Sequence, residues 1–329
     1  GRPTRGAADL AADWAPMRWE VAPATTAGYA KTLQGVQGTG GSTSIANSWM
    51  QLRKAGAAAR AMLVDAAAQK WDVPATEILV AEGVVSHSNG FSATFGELAA
   101  NAAVFTPPDE PALKDPKDFR LIGTKFPRID SPNKVTGKAI YTSDITRPGM
   151  LLAAIAHPPK FGARVTSFDA TTAKETRGVK EVVEIPRGVA VLADSFHAAI
   201  QGRDALSIEW DYSDAETRSS AQMIEEFKAL AENPGAIARD DGDVDTAFAE
   251  AATIIERTFE FPFLAHSPME PLNAVVELSE GECEIWTGSQ LQTVDQQVVA
   301  AILGLEPEQV KINTLFAGGS FGRRAVIDS

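Results

Sequence analysis

The sequence has a single cysteine, Cys283, which excludes a disulfide framework and any iron–sulfur cluster ligated by cysteines of this chain alone. Its neighbours in Glu282-Cys283-Glu284-Ile285-Trp286 alternate as a strand does, so an inert structural thiol is the expectation. Apolar runs of about 18 residues are missing, which excludes a membrane-spanning helix. Basic residues are outnumbered: the formal charge is −13, against binding to nucleic acid or to an anionic membrane surface. Histidines are few, and His87, His157 and His197 lack metal-ligand spacing, so packing or surface roles are expected. Neither an initiator methionine nor an apolar signal core opens the chain, and it stops seven residues past Gly322. A piece of a larger polypeptide, or a processed subunit, is the expectation.

What is present is ordinary for a globular protein, 44% hydrophobic and 22% charged over 329 residues, enough for two cores. A helix is expected over residues 7–15, with a short strand over Met17 to Val21. The stretch Gln37-Gly38-Thr39-Gly40-Gly41-Ser42-Thr43-Ser44 then opens onto an amphipathic helix, Ile45 to Lys70. Free N–H groups and the positive dipole end there favour an anion. The Gly-Lys-Ser/Thr ending of a Walker A loop is absent. A plain alternative is a capped loop with Ser42 or Ser44 near the N-cap.

Strands are expected over Ile78 to Val85 and Gly90 to Thr94, and Thr94-Phe95-Gly96-Glu97 has the capping-box pattern. Proline and charge over 105–128 read as a linker. Further strands are expected over Val135 to Tyr141, Met150 to Ala156, Val179 to Ile185, Val189 to Ala193 and Leu206 to Trp210, with a helix over Asp194 to Arg203. The texture is α+β rather than βαβ. An acidic connection with a helix near Ser220 to Glu232 leads to a helix over Asp245 to Ala252 and a strand over Thr253 to Phe261. His266 and Glu270 follow in a proline-bent apolar segment, as a site pair or as a satisfied structural pair. Strands over Ala274 to Leu278 and Cys283 to Thr287 precede Gln290, placed to present its amide to a ligand or simply to cap the next helix. That helix ends at Gly304.

The last strand, Val310 to Phe316, stops at Gly318-Gly319-Ser320-Phe321-Gly322-Arg323-Arg324. Glycines allow left-handed backbone and close approach, so the turn reads as a cradle for an anionic ligand. The same letters fit a nucleophile elbow, Gly318-x-Ser320-x-Gly322, of a serine hydrolase. No histidine follows Gly322, so the Ser…Asp…His order cannot be completed here.

The Gly38 to Ser44 loop, Pro132 to Asp144, His266 to Pro271, Gln290 and the terminal glycine turn occur in the order found in one family. The sequence resembles the molybdopterin-binding large subunit of the molybdenum hydroxylases, the xanthine dehydrogenase and aldehyde oxidase family. The likeness is strongest to its branch of isoquinoline 1-oxidoreductase beta subunits and membrane-associated aldehyde dehydrogenases. The resemblance implies a permuted molybdopterin-binding segment at 1–104, the 105–128 linker, an α/β hammerhead domain at 129–212, a connection at 213–243, and the start of a molybdopterin-binding domain at 244–329. It implies cofactor binding by Gly40, Gly41, Ser42, Thr43, Ser44, Gln290, Gly318, Gly319, Ser320, Phe321, Gly322 and Arg323, with no metal ligand among them. The cofactor implied is a molybdenum-bearing pterin dinucleotide, of the cytosine type. The reaction is hydroxylation of an aldehyde or N-heteroaromatic carbon with oxygen from water.

The implied partners are the C-terminal remainder of the large subunit, a small [2Fe–2S] subunit and a cytochrome c, and the resemblance favours a periplasmic setting, with a cytoplasmic one as the alternative. No catalytic residue is carried over, because the family's glutamate base lies beyond Ser329; a non-catalytic cofactor-binding fragment is a third reading. The Met-Gly-Gln-Gly stretch of the family is also missing ahead of residue 7. Ala325 stands where xanthine-type enzymes carry a substrate-binding glutamate, against a purine substrate.

Overall fold

In the computed structural model, which describes residues 2–31 and 35–326, α1 (Arg2–Leu10) lies against α3 (Thr43–Trp71), with the short α2 (Thr26–Tyr29) between them in sequence. The first helix starts earlier than the sequence predicts and ends where Ala11 turns to φ 61°. Gly56 in mid-α3 has a reason: a Cβ there would stand 2.2 Å from the Gly6 carbonyl oxygen, so the two helices touch through glycine. Beside that contact, Asp9 and Arg53 form a buried ion pair at 2.7 Å. The strand expected over Met17 to Val21 does not form; those residues carry no ladder among the described residues.

An antiparallel sheet follows, β1 (Leu79–Ala81), β2 (Val84–Ser86) and β3 (Ser92–Thr94). The single strand expected over 78–85 is split because Glu82 and Gly83 take φ of 50° and 80° and reverse the chain. Thr94 then starts α4 (Phe95–Ala102) through the predicted capping box. Leu63, Ala67, Val85 and Leu98 form the core shared by α3, the sheet and α4. The strand expected over Val135 to Tyr141 is replaced by α5 (Ser131–Val135). Pro132 in its first turn presets helical φ, and Gly137 at φ 70° breaks the run. Among the described residues, only a bridge between Tyr141 and Phe316 survives of that strand.

The chain divides into two units, Gly1–Ile145 with His266–Ser329, and Thr146–Ala265. The second holds β4 (Leu152–Ala156), β5 (Arg164–Asp169), α6 (Thr171–Glu175), β6 (Val179–Ile185), β7 (Gly188–Ala193), α7 (Phe196–Asp204) and β8 (Ser207–Asp211). Its antiparallel sheet runs β4-β7-β6, with β5 and β8 paired separately. Central β7 is buried along nearly its whole length, which is why its sequence is a continuous apolar run. Two helices with no buried residue, α8 (Ser220–Ala231) and α9 (Val244–Glu250), follow. Over 253–261, where a strand is expected, none forms, and Ile255, Phe259 and Phe261 are 75–77% exposed. The alternation is there, but no neighbouring strand among the described residues completes a ladder.

The first unit resumes with β9 (Ala274–Ser279), β10 (Glu282–Thr287), α10 (Gln292–Leu303) and β11 (Val310–Thr314). The sheet order is β11-β10-β9, with β10 and β11 parallel. A parallel pair needs a crossover, supplied by α10, which ends at Gly304 at φ 67°. Cys283, Ile285, Ala300, Val310 and Ile312 form the core beneath it, and burial raises the Cys283 thiol above its ordinary pKa. Because β10 and β11 run the same way, their carboxyl ends lie side by side, at Gly288-Ser289-Gln290 and at the Gly318 turn. That is where parallel strands leave a crevice for ligands.

Candidate functional site

Leu315 continues β11 by donating its N–H to the Thr287 carbonyl at 2.9 Å, so the glycine turn begins level with the end of β10. Backbone φ is positive at Gly319 (104°), Phe321 (57°) and Gly322 (98°). The turn closes with Arg323 N–H on the Ser320 carbonyl at 3.0 Å and Ala325 N–H on Gly322 at 3.1 Å. Among the described residues, no acceptor meets the N–H groups of Gly319, Ser320, Phe321 and Gly322. Successive N–H groups left open by alternating backbone hand form a nest suited to anionic or strongly accepting atoms.

The glycines here do different jobs. A Cβ at Gly318 would stand 2.3 Å from Glu270 Cβ, and one at Gly319 3.2 Å from Pro268 Cα. Both are packed against the chain, and the Gly318 N–H is taken by Glu270 Oε2 at 2.9 Å. Gly322 meets nothing within 4 Å, and Phe321 beside it is 74% exposed.

Gln290 joins this turn to the other glycine loop. Its N–H donates to the Arg324 carbonyl at 3.1 Å, and its carbonyl accepts from Thr39 N–H at 2.7 Å. Its side-chain amide donates to the Thr39 carbonyl at 2.8 Å and accepts a hydrogen bond from the Ser320 hydroxyl. Gly38 is glycine for this contact, since a Cβ would come within 2.5 Å of Leu291 Cδ2. The amide keeps a second N–H and a second lone pair for a ligand.

Beyond Thr39 the loop bends at Gly41 (φ 56°) and Ser42 (φ 54°) into α3. Ser42 occupies the N-cap without a side-chain cap bond, so the capped-loop alternative does not hold there. Gly40, Gly41 and Ser42 have no backbone acceptor among the described residues, and a Cβ at Gly40 would meet nothing within 4 Å. Thr43 bonds back to the Gly40 carbonyl at 2.9 Å and receives Lys31 Nζ at 2.9 Å. Lys31 is buried, and sequence reasoning missed it. A cleft of about 750 Å³ adjoins this loop, lined by Lys31, Gly38, Thr39, Trp19, Asp130 and Phe316 among others. On its rim Asp130 is held down to a pKa of about 2 by hydrogen bonds from Arg128 and Lys134.

Two expectations are corrected by these contacts. His266 is exposed and makes no pair with Glu270 among the described residues; Glu270 pairs instead with buried Arg324 at 3.3 Å. The serine-nucleophile reading fails because the Ser320 hydroxyl is committed to Gln290 and accepts Arg324 N–H at 3.0 Å. A single helical turn, Arg323–Ala325, follows it in place of a helix. Arg323, named from the sequence, is half-buried, whereas its neighbour Arg324 turns inward and was missed. No group of three metal-ligating side chains exists among the described residues. His87 is buried and bonds to Glu77 at 2.9 Å, a packing role.

Residues 229–328 match the family described as the molybdopterin cofactor-binding domain. Isoquinoline 1-oxidoreductase subunit beta of Brevundimonas diminuta is 33% identical, over 97% of this chain and 46% of its own length. These matches support a partial-length member of the molybdenum hydroxylase large-subunit family. Membrane-bound aldehyde dehydrogenase [pyrroloquinoline-quinone] of Gluconacetobacter polyoxogenes is 32% identical, over 96% of this chain and 42% of its own. The chain thus spans less than half the length of these relatives. Among solved structures, the aldehyde oxidoreductase of Desulfovibrio gigas has a TM-score of 0.47 and 22% identity, covering 69% of this chain and 30% of that one. Members of this large-subunit family bind molybdopterin, and the donors in this chain suit such a group. A phosphate- and carbonyl-rich ligand needs N–H donors, and the two open loops at Gly40 to Ser42 and Gly319 to Gly322 supply them.

Proposed function

We propose that this chain is the cofactor-holding part of an oxidoreductase that hydroxylates an aldehyde or an N-heteroaromatic carbon. The observation that carries this reading is the convergence of two N–H-rich glycine loops on one glutamine, Gln290. Bound molybdopterin would supply two-electron oxidation with incorporation of oxygen from water. This chain's residues orient and polarise. The Gly319 to Gly322 N–H groups and the spare Gln290 amide donor would hold acceptor atoms of the bound group. Gly40, Gly41, Ser42 and the start of α3, with Thr43 and Ser44, hold phosphates of a dinucleotide, of the cytosine type, helped by the Lys31 charge.

Electrons leave to a small [2Fe–2S] subunit and onward to a cytochrome c, since one buried cysteine cannot hold a cluster here. The base glutamate and most of the substrate pocket belong to the remainder of the large subunit. The exposed, strand-patterned stretch 253–264, with Phe259, Phe261 and Phe263 on alternate positions, suits pairing with a strand of that remainder. Residues 129–212 serve as the hammerhead domain, and the setting is periplasmic. No helix among the described residues is long and apolar enough to cross a membrane.

Metal analysis and cofactor extraction of the purified native complex test the proposal. Molybdenum with a released pterin and a cytosine nucleotide is the expected result. A complex without molybdenum, or one yielding pyrroloquinoline quinone in its place, overturns it.

A further inference from the structure

We infer that Glu270 and Arg324 are a positioning pair that aims the Gly319 and Ser320 N–H groups at the bound cofactor; this rests on the molybdopterin reading above. The argument follows from peptide geometry. No cis peptide occurs among the described residues, so each C=O points opposite to the next residue's N–H. Glu270 N–H holds the Gly318 carbonyl at 2.9 Å, which turns the Gly319 N–H away from Glu270. Arg324 Nε holds the Gly319 carbonyl at 2.9 Å, which turns the Ser320 N–H away from Arg324. The Arg324 backbone N–H fixes the Ser320 hydroxyl at 3.0 Å, and through it Gln290.

The pair is itself held from several sides. Arg324 Nη2 donates to the Glu270 carbonyl at 2.8 Å and to its Oε2 at 3.3 Å, while Nη1 reaches Gly288 O at 3.4 Å. Glu270 Oε2 accepts Gly318 N–H at 2.9 Å, and Oε1 accepts Ser143 N–H at 3.3 Å and Asn273 Nδ2 at 3.4 Å. Their side chains are 3% and 9% exposed, so neither touches a ligand in solvent; they act through the turn. Only a planar fork satisfies Gly319, Gly288 and Glu270 at once, which makes lysine a poor substitute.

The test uses the native complex carrying Arg324→Lys or Glu270→Gln, with molybdenum and nucleotide measured per folded molecule and folding followed by thermal unfolding. Glu270→Gln keeps an acceptor for Gly318 N–H and is the gentler change. Molybdenum per folded molecule is expected to fall on the order of 10-fold in both variants, with a changed Mo(V) electron-paramagnetic signal in the residue. Unchanged molybdenum per folded molecule with an unchanged signal overturns the pair's positioning role, as does a loss of molybdenum that only tracks loss of folded protein. If the unmutated complex contains no molybdenum, the molybdopterin reading itself falls.

Discussion

Thr39 and Gln290, 251 residues apart in sequence, bond twice: Thr39 N–H to the Gln290 carbonyl and the Gln290 amide to the Thr39 carbonyl, at 2.7 and 2.8 Å. The first bond is main-chain and survives mutation; the second is the side chain's own. Gln290→Leu is therefore expected to keep the fold and lose about 1–2 kcal/mol in a denaturant titration. Cofactor content is expected to fall by more than that loss explains, because the spare amide donor also goes.

Gly318 and Gly40 predict opposite outcomes for the same substitution. Gly318→Ala drives a Cβ to 2.3 Å from Glu270 Cβ and is expected to cost about 3 kcal/mol. Gly40→Ala meets nothing within 4 Å and is expected to change stability by less than about 0.5 kcal/mol while lowering nucleotide content. Thermal unfolding and nucleotide release on each variant separate the packed glycine from the open one.

The buried Asp9–Arg53 pair ties α1 to α3, and Arg53 also donates to the Lys114 carbonyl at 2.7 Å and faces the Trp49 and Phe119 rings. Asp9→Ala leaves that guanidinium without its counter-charge and is expected to cost about 3–5 kcal/mol by urea unfolding.

Asp130 predicts a pH dependence. Its folded pKa is depressed from 3.8 to about 2 by Arg128 and Lys134, so its contribution is full above the unfolded value and is lost as pH falls toward about 2. Asp130→Asn is expected to lower the urea midpoint at pH 7, and the gap from the parent is expected to close between pH 3.8 and about 2. A gap that stays constant over that range contradicts the ion-pair account.

Much of the local structure is carried by short-range chemistry, and the sequence alone determined it: the Thr94 to Glu97 capping box, the Gly304 stop, the long helix after the serine-threonine loop, and β7 as a buried strand. So was the family, because its glycine turns and Gln290 stand in a recognisable order. Strands failed where the partner decides: Val135 to Tyr141 and Thr253 to Phe261 have strand letters but no ladder among the described residues. Only the tertiary structure decided which glycines serve packing and which stay open, since Gly318 and Gly40 look alike until Glu270 is brought against the first. It alone showed that Arg324, not Arg323, turns inward to meet Glu270, and that the Ser320 hydroxyl is spent on Gln290. Those contacts join residues 30 to 54 positions apart, and the parallel pairing of β10 with β11 lays the ends of those strands side by side.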